Sequence, residues 1–236
     1  MILLTAAFFA AMTSAEATPG DSGGILSAAD RDVYSRAFAA ANKGDWRVAE
    51  SLAAKGHNPL AAKLFLWHRL TATNGIATFE EVDAFRKANP DWPLAGALTV
   101  RAEGLIDRHA SPGFVIGWFA GREPASALGK IRLGMAEIAA GKIAAGESHV
   151  RSGWIAGSFT ANEESFVLQR TGMLMTPEVS ARRLDTLLWR RDYASAKREM
   201  ARASDADQAV AAARIAVETG SRDARNLVAA LTAEQA

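Results

Sequence analysis

The chain has 236 residues, 49% of them hydrophobic and 22% charged, which is typical of a folded protein in water rather than a disordered or membrane-embedded one. Its 27 basic and 26 acidic residues nearly cancel, so no overall field draws it to nucleic acid or anionic lipid. Charged runs such as Arg182-Arg183-Leu184-Asp185 are interpreted as solvated helix faces. The absence of cysteine excludes disulfides, a thiolate nucleophile and cysteine-ligated zinc.

The first residues predict an export signal. Ile2 to Met12 is an apolar run of secretory length, and Ala15-Glu16-Ala17 fits the small-x-small rule for cleavage after Ala17. No lysine or arginine precedes the run, which is atypical, and a buried first helix is the alternative. We expect a signal peptide over residues 1–17, a flexible mature N-terminus over residues 18–25 and a periplasmic location.

Helix-end signals then follow one another along the chain. Ser27 predicts the cap of a helix that ends at Gly44, and Asn58-Pro59 predicts another start, since proline at the first helical position loses no hydrogen bond. Thr78 and Glu81 form a capping box. The predicted helices of this half cover residues 27–43, 45–55, 58–72, 78–89 and 93–104.

The second half continues the pattern. The Gly- and Pro-rich stretch over residues 111–121 predicts at most a short helix, and residues 153–157 predict a break. Thr176-Pro177-Glu178 combines a cap, a first-position proline and a first-turn acid. Further helices are predicted over residues 124–140, 142–151 and 161–170, from residue 177, and in two or three segments after that.

A weak internal repeat indicates how these helices pack. Residues 39–49 and 187–196 share a charged tight turn followed by an aromatic residue and then an alanine, which suits two antiparallel helices in close contact. The tetratricopeptide consensus is not met. We therefore predict an all-α fold over residues 26–236: a right-handed superhelix, or solenoid, of irregular helical hairpins.

Two segments resemble a known family. Residues 85–103, which contain Asn89-Pro-Asp-Trp-Pro93, are similar to an early segment of alphaproteobacterial soluble lytic murein transglycosylases. Residues 171–189, where a turn precedes Ala181-Arg-Arg-Leu-Asp-Thr-Leu-Leu-Trp189, resemble a second segment of that family, and Trp154 with residues 159–166 fits the same region. The resemblance covers about residue 26 to the C-terminus.

The resemblance implies a periplasmic enzyme that cleaves the MurNAc–GlcNAc bond of peptidoglycan and closes a 1,6-anhydro ring. In that family a U-shaped helical scaffold precedes a lysozyme-like catalytic domain. The chain stops within the scaffold, so we expect it to lack that domain, to be inactive alone, and to position or bind glycan strands, with its own missing catalytic domain or periplasmic proteins as further partners.

We predict no catalytic residue. The family's catalytic Glu-Ser is superficially imitated by Glu164-Ser165, but the spacing to Gly172-Met-Leu-Met is too short for a lysozyme-like site, so Glu164 is interpreted as an exposed first-turn acid. The pairs Glu80-Glu81 and Glu163-Glu164 point about 100° apart on a helix and do not converge on one bond. The four histidines lack metal-binding spacing, so no metal or cofactor is expected.

The six tryptophans are the candidate sugar contacts. Trp46, Trp67 and Trp189 occupy hairpin positions and are predicted to be core anchors. Trp92, Trp118 and Trp154 lie beside proline or glycine and are the predicted glycan-binding residues. A stand-alone helical-repeat adaptor for periplasmic proteins is the alternative to a transglycosylase scaffold, and a hydrolase that uses Glu164 is the third interpretation.

Overall fold

The computed structural model describes residues 25–232, and within them it contains thirteen α-helices, one 3₁₀ turn and no strand. The predicted all-α fold of helical hairpins is therefore confirmed. The predicted signal peptide and residues 18–24 of the predicted mature N-terminus lie outside the described residues. None of the helices described is both long and apolar enough to cross a bilayer. The helices form two compact units, the first ending at Ala77 and the second beginning at Thr78.

The first unit contains three described helices: α1 (Ala28–Asn42), α2 (Trp46–Ala53) and α3 (Pro59–Thr71). The turn between α1 and α2 passes through Gly44, whose φ of +84° is a conformation that glycine adopts without strain. Small residues let the two helices approach closely, and the buried core of this unit is Tyr34, Ala37, Ala41, Trp46, Ala49, Ala53, Ala61 and Phe65. The predicted caps form, since the side chains of Ser27 and Asn58 accept backbone N–H bonds.

The second unit begins with α4 (Phe79–Ala88), α5 (Ala95–Leu105), α6 (Pro112–Phe119), α7 (Ala127–Ala139) and α8 (Ile143–Ala156). It continues with α9 (Ala161–Thr171), a 3₁₀ turn (Gly172–Leu174), α10 (Pro177–Trp189), α11 (Tyr193–Met200), α12 (Asp205–Glu218) and α13 (Ala224–Ala229). The predicted capping box at Thr78 and Glu81 is present. A second capping box, between Thr160 and Glu163, opens α9.

The hairpin of α7 and α8 is held by a contact between two glycines. A Cβ atom placed on Gly134 would lie 2.5 Å from the carbonyl oxygen of Gly146, and the reverse placement gives the same distance. Gly153 continues this contact, because its Cβ would lie 2.7 Å from the carbonyl oxygen of Ala127. The predicted break at residues 153–157 was therefore wrong at its start: α8 runs through Gly153 because that glycine serves helix packing.

A buried carboxylate sets the start of α7. Glu103, 1% exposed, accepts hydrogen bonds from the backbone N–H groups of Ala125 and Ser126, each at 2.7 Å. Ser126 in turn accepts from Gly129 N–H and caps the helix. The helix consequently begins at Ala127 rather than at the predicted Pro124.

Candidate functional site

Glu164 is a buried structural acid. It lies in the first turn of α9, as predicted, but it is only 3% exposed, so its interpretation as an exposed residue was wrong. Oε1 accepts a hydrogen bond from Nη2 of Arg183 at 2.8 Å, and Oε2 accepts from Nε of Arg198. Both carboxylate oxygens of Glu164 are therefore held by guanidinium groups of the protein itself.

Arg183 is the centre of this charge network. The side chain is fully buried, so the prediction that the Arg182-Arg183 run is solvated holds only for Arg182. Nη1 donates to the carbonyl oxygens of Trp154 and Gly157, and Nε lies 3.2 Å from Glu199 Oε2 without hydrogen-bond geometry. Burial lowers the pKa of Arg183, and the carboxylates of Glu199 and Glu164 oppose that shift.

Trp154 packs against the network instead of facing solvent. It is 0% exposed, its ring stacks on Phe159 at 5.7 Å, and the Arg183 guanidinium lies 4.1 Å from its centroid. A sugar needs an accessible ring face, so burial contradicts the prediction that Trp154 binds glycan. Trp189 shows the opposite error: predicted to be a core anchor, it is 73% exposed at the end of α10, while Trp46 is buried as predicted.

A cleft beside this network, here called the Arg202 cleft, opens between α9 and α11. It has a volume of about 580 Å³ and is lined by Ala161, Glu164, Ser165, Leu168, Gln169, Arg198 and Arg202. The residues from α9 are spaced three and four apart, so that helix presents one face, while Arg198 comes from α11 and Arg202 from the turn that follows it. The arginine side chains are 35% and 28% exposed.

A second cleft, here called the His149 cleft, lies among α6, α7 and α8. Its volume is about 370 Å³, and its lining is Ile116, Phe119, Ala120, Gly121, Arg122, Glu123, Pro124, Leu133, Glu137 and His149. Phe119 and Leu133 are almost fully buried and form an apolar floor. An apolar surface with a few placed polar groups, at a volume of roughly 300–1,000 Å³, is the usual composition of a small-ligand site.

Glu137 and His149 are the polar pair of the His149 cleft. Nδ1 of the imidazole lies 2.7 Å from Glu137 Oε2, and the side chains are 26% exposed for His149 and 12% for Glu137. This contact fixes the ring and leaves Nε2 for a ligand. The sequence analysis missed the pair, although a signal was present: both residues flank the Gly141 turn, where an antiparallel hairpin brings them face to face.

Trp118 stands next to the His149 cleft and is held by α4. Its Nε1 donates to Asp83 at 3.0 Å, and the guanidinium of Arg122, a lining residue, lies 4.0 Å from its ring centroid. Burial lowers the pKa of Arg122, and the charge of Arg86 lowers it further. Burial alone would raise the pKa of Asp83, but hydrogen bonds from Lys87, Arg86 and Trp118 hold it below its usual value.

The three predicted glycan-binding tryptophans have different surroundings. Trp118 is half-buried and makes edge contacts with Phe79 and Phe119. Trp92, also half-buried, meets the ring of Phe85 edge-on at 6.1 Å, and Trp154 belongs to the Arg183 network. Glycan binding by Trp92 and Trp118 stays a prediction, and Trp118 lies beside Arg122 of the His149 cleft.

The remaining histidines bear on metal and packing roles. His68 lies 5.3 Å from the ring of Phe38 and 5.7 Å from that of Trp46, and burial lowers its pKa. Within residues 25–232 no group of three or more histidine, aspartate or glutamate side chains has an arrangement that would hold a metal ion.

Comparison of the chain with protein-family models, curated proteins and solved structures gave no match.

Proposed function

We propose that the chain is the helical scaffold of a periplasmic peptidoglycan lytic transglycosylase and that it binds glycan without cleaving it. The observation that carries this proposal is the His149 cleft. A pyranose ring presents an apolar C–H face and polar hydroxyl edges, and the cleft offers the accessible apolar side chains of Ile116 and Ala120 together with the polar Glu137, His149 and Arg122. The resemblance of residues 85–103 and 171–189 to that family supplies the choice of peptidoglycan.

The engagement of Glu164 supports binding without catalysis. A general acid for glycoside cleavage must reach the oxygen of the scissile bond, whereas both carboxylate oxygens of Glu164 contact guanidinium groups and the side chain is buried. Chemistry would then belong to a separate lysozyme-like domain, and this chain would hold the strand.

Co-sedimentation with intact sacculi tests the proposal. We expect the wild-type chain to sediment with them and His149→Ala to bind at least about tenfold more weakly, because a lost hydrogen bond to a charged ligand group costs about 1.5–3 kcal/mol. Glu147→Gln, on the same helix but outside the cleft lining, should bind like wild type.

Soluble products of the same incubation, measured by mass spectrometry, test the catalytic half of the proposal. We expect no anhydro-muropeptides above those of a Glu164→Gln control. Release of such products by the wild-type chain alone would overturn it, and equal sedimentation of wild type and His149→Ala would remove the His149 cleft from it.

A periplasmic adaptor is the second candidate, and an exposed apolar patch favours it. Trp189 is 73% exposed and Val217 55%, and Arg214, one helical turn before Val217, lies 4.7 Å from the Trp189 ring centroid. Exposed aromatic and arginine side chains are enriched where proteins bind proteins. Failure to sediment with sacculi, together with loss of a protein partner on Trp189→Ala, would favour the adaptor.

A further inference from the structure

We infer that the Arg202 cleft is a binding site for the carboxylate of a small organic anion. The inference depends on the geometry of α9, α11 and the turn that follows α11, and it is independent of the proposed glycan binding. Two guanidinium groups, Arg198 and Arg202, face a cavity of about 580 Å³ whose only acidic lining residue is Glu164.

The charge in the cleft is positive where a ligand would enter. Glu164 forms ion pairs with both Arg183 and Arg198, so its single negative charge is shared between two positive charges. Asp192 also attracts Arg198, but it lies outside the lining, where it accepts hydrogen bonds from Ser158 and from the N–H of Ser195. Glu199, also outside the lining, pairs with both Arg183 and Arg202, so the charge that the lining itself presents to a monoanion is that of two arginines and one glutamate.

Arg202 has donor capacity left over. It pairs with Glu199 through Nη2 at 3.1 Å and its Nε is buried, whereas its Nη1 makes no hydrogen bond to any described residue. A guanidinium group offers five N–H donors in a planar fork that matches a carboxylate. The unused edge of Arg202 is the part of the cleft that a carboxylate would occupy.

The opposite wall fits the rest of such a ligand. Ser165 and Gln169 are exposed one turn apart on α9 and offer neutral donors, and the half-buried Leu168 offers apolar surface beside them. The ligand class is thus a carboxylate attached to a short, partly apolar body. Both a peptide C-terminus and a sugar acid have this chemistry.

Titration of the full chain in two-dimensional ¹H–¹⁵N NMR spectra tests the site. The probes are N-acetylalanine for the peptide source and glucuronate for the sugar source, with N-acetylalanine amide and glucose as their neutral matches. We expect at least one anion to shift the amide resonances of α9 and α11, and its neutral match to bind at least tenfold more weakly. The anion that binds identifies the source.

Variants separate this site from general charge effects. Arg202→Gln should weaken binding of the anion at least tenfold, whereas Arg182→Gln, an exposed arginine outside the lining, should leave it unchanged. Arg202→Lys keeps the positive charge but lacks the planar guanidinium group, so its affinity for the anion should lie between those of wild type and Arg202→Gln.

Three results would overturn the inference. They are equal binding of an anion and its neutral match, tighter binding of inorganic phosphate than of either carboxylate, and no shift with any probe at millimolar concentration. The comparison of charged and neutral ligands uses the wild-type chain, so it tests the carboxylate site even where a variant does not fold.

Discussion

At the scale of single residues, Arg183 has the largest predicted effect on stability. Its guanidinium is fully buried between Glu164 and Glu199, and Glu199 is itself 0% exposed. Removing one member of a buried ion network leaves an uncompensated charge in a medium that solvates it poorly.

We therefore predict that Arg183→Met lowers the free energy of unfolding by about 3–5 kcal/mol, measured by denaturant unfolding. Arg182→Met, its exposed neighbour, should change it by less than about 0.5 kcal/mol. Adding Glu199→Gln to Arg183→Met should recover part of the loss because it removes the stranded charge. A loss from Arg183→Met no larger than that from Arg182→Met would contradict the electrostatic role.

Side-chain burial was the property that the sequence predicted least well. Arg183, Glu164 and Glu103 were missed as buried groups because a charged residue in a helix has the same sequence pattern whether it is solvated or paired. Arg183 and Glu164, which contact each other, are 19 positions apart in the sequence, so no local sequence pattern predicts the contact. Trp189 was misplaced for a related reason: its position at a helix end matched the hairpin pattern, but its ring stays 73% exposed with only the Arg214 guanidinium beside it among the described residues.

At the scale of helices, local signals predicted starts better than ends. Four predicted N-caps are present, because an N-cap is a contact within three residues and depends only on local sequence: Ser27, Asn58, Thr78 and Thr176. The glycine-based predictions had mixed outcomes, since the predicted helix end at Gly44 is present. Gly153 was predicted to be a helix break, yet it lies inside α8. The sequence alone does not distinguish a glycine that ends a helix from one that allows a neighbouring helix to approach closely.

The contact between α7 and α8 provides a prediction at this scale. We expect Gly134→Ala to lower the free energy of unfolding by about 1–3 kcal/mol, because the new methyl group meets a backbone carbonyl that cannot rotate away. Thermal or denaturant unfolding followed by circular dichroism measures the change.

Gly104→Ala is the matched control for that substitution. Gly104 is exposed near the end of α5, and a Cβ placed there meets nothing within 4 Å. Replacing a helical glycine by alanine at such a site should raise stability by up to about 1 kcal/mol. Equal effects of the two substitutions would show that the close approach of α7 and α8 does not govern stability.

At the scale of the whole molecule, composition and helix signals sufficed for the fold class, because no segment alternates as a strand does. The division at Ala77 and Thr78 was not predicted: the turn there has the same kind of sequence as the turns within each unit. The right-handed superhelix stays a prediction.

Each unit has a core of its own, and this leads to a prediction. We expect a chain of residues 78–236 to fold alone, with a helical circular dichroism spectrum and one cooperative unfolding transition, because its core clusters are built from its own helices. A chain of residues 112–236 is the control: it lacks the carboxylate of Glu103 and the side chain of Ile106, so it should unfold less cooperatively. A non-cooperative transition for residues 78–236 would mean that the second unit needs the first.

The network around Arg183 also limits which substitutions this sequence can accept during evolution. Arginine and glutamate side chains from α9, α10 and α11 and backbone carbonyls at the end of α8 depend on one another for charge or hydrogen bonds. Replacing the whole set by apolar residues is often neutral or favourable in proteins, but every intermediate with one member missing is destabilised. Descendants of this chain would therefore reach an apolar interior there only through several linked substitutions, so the network should persist across generations even if it adds little net stability.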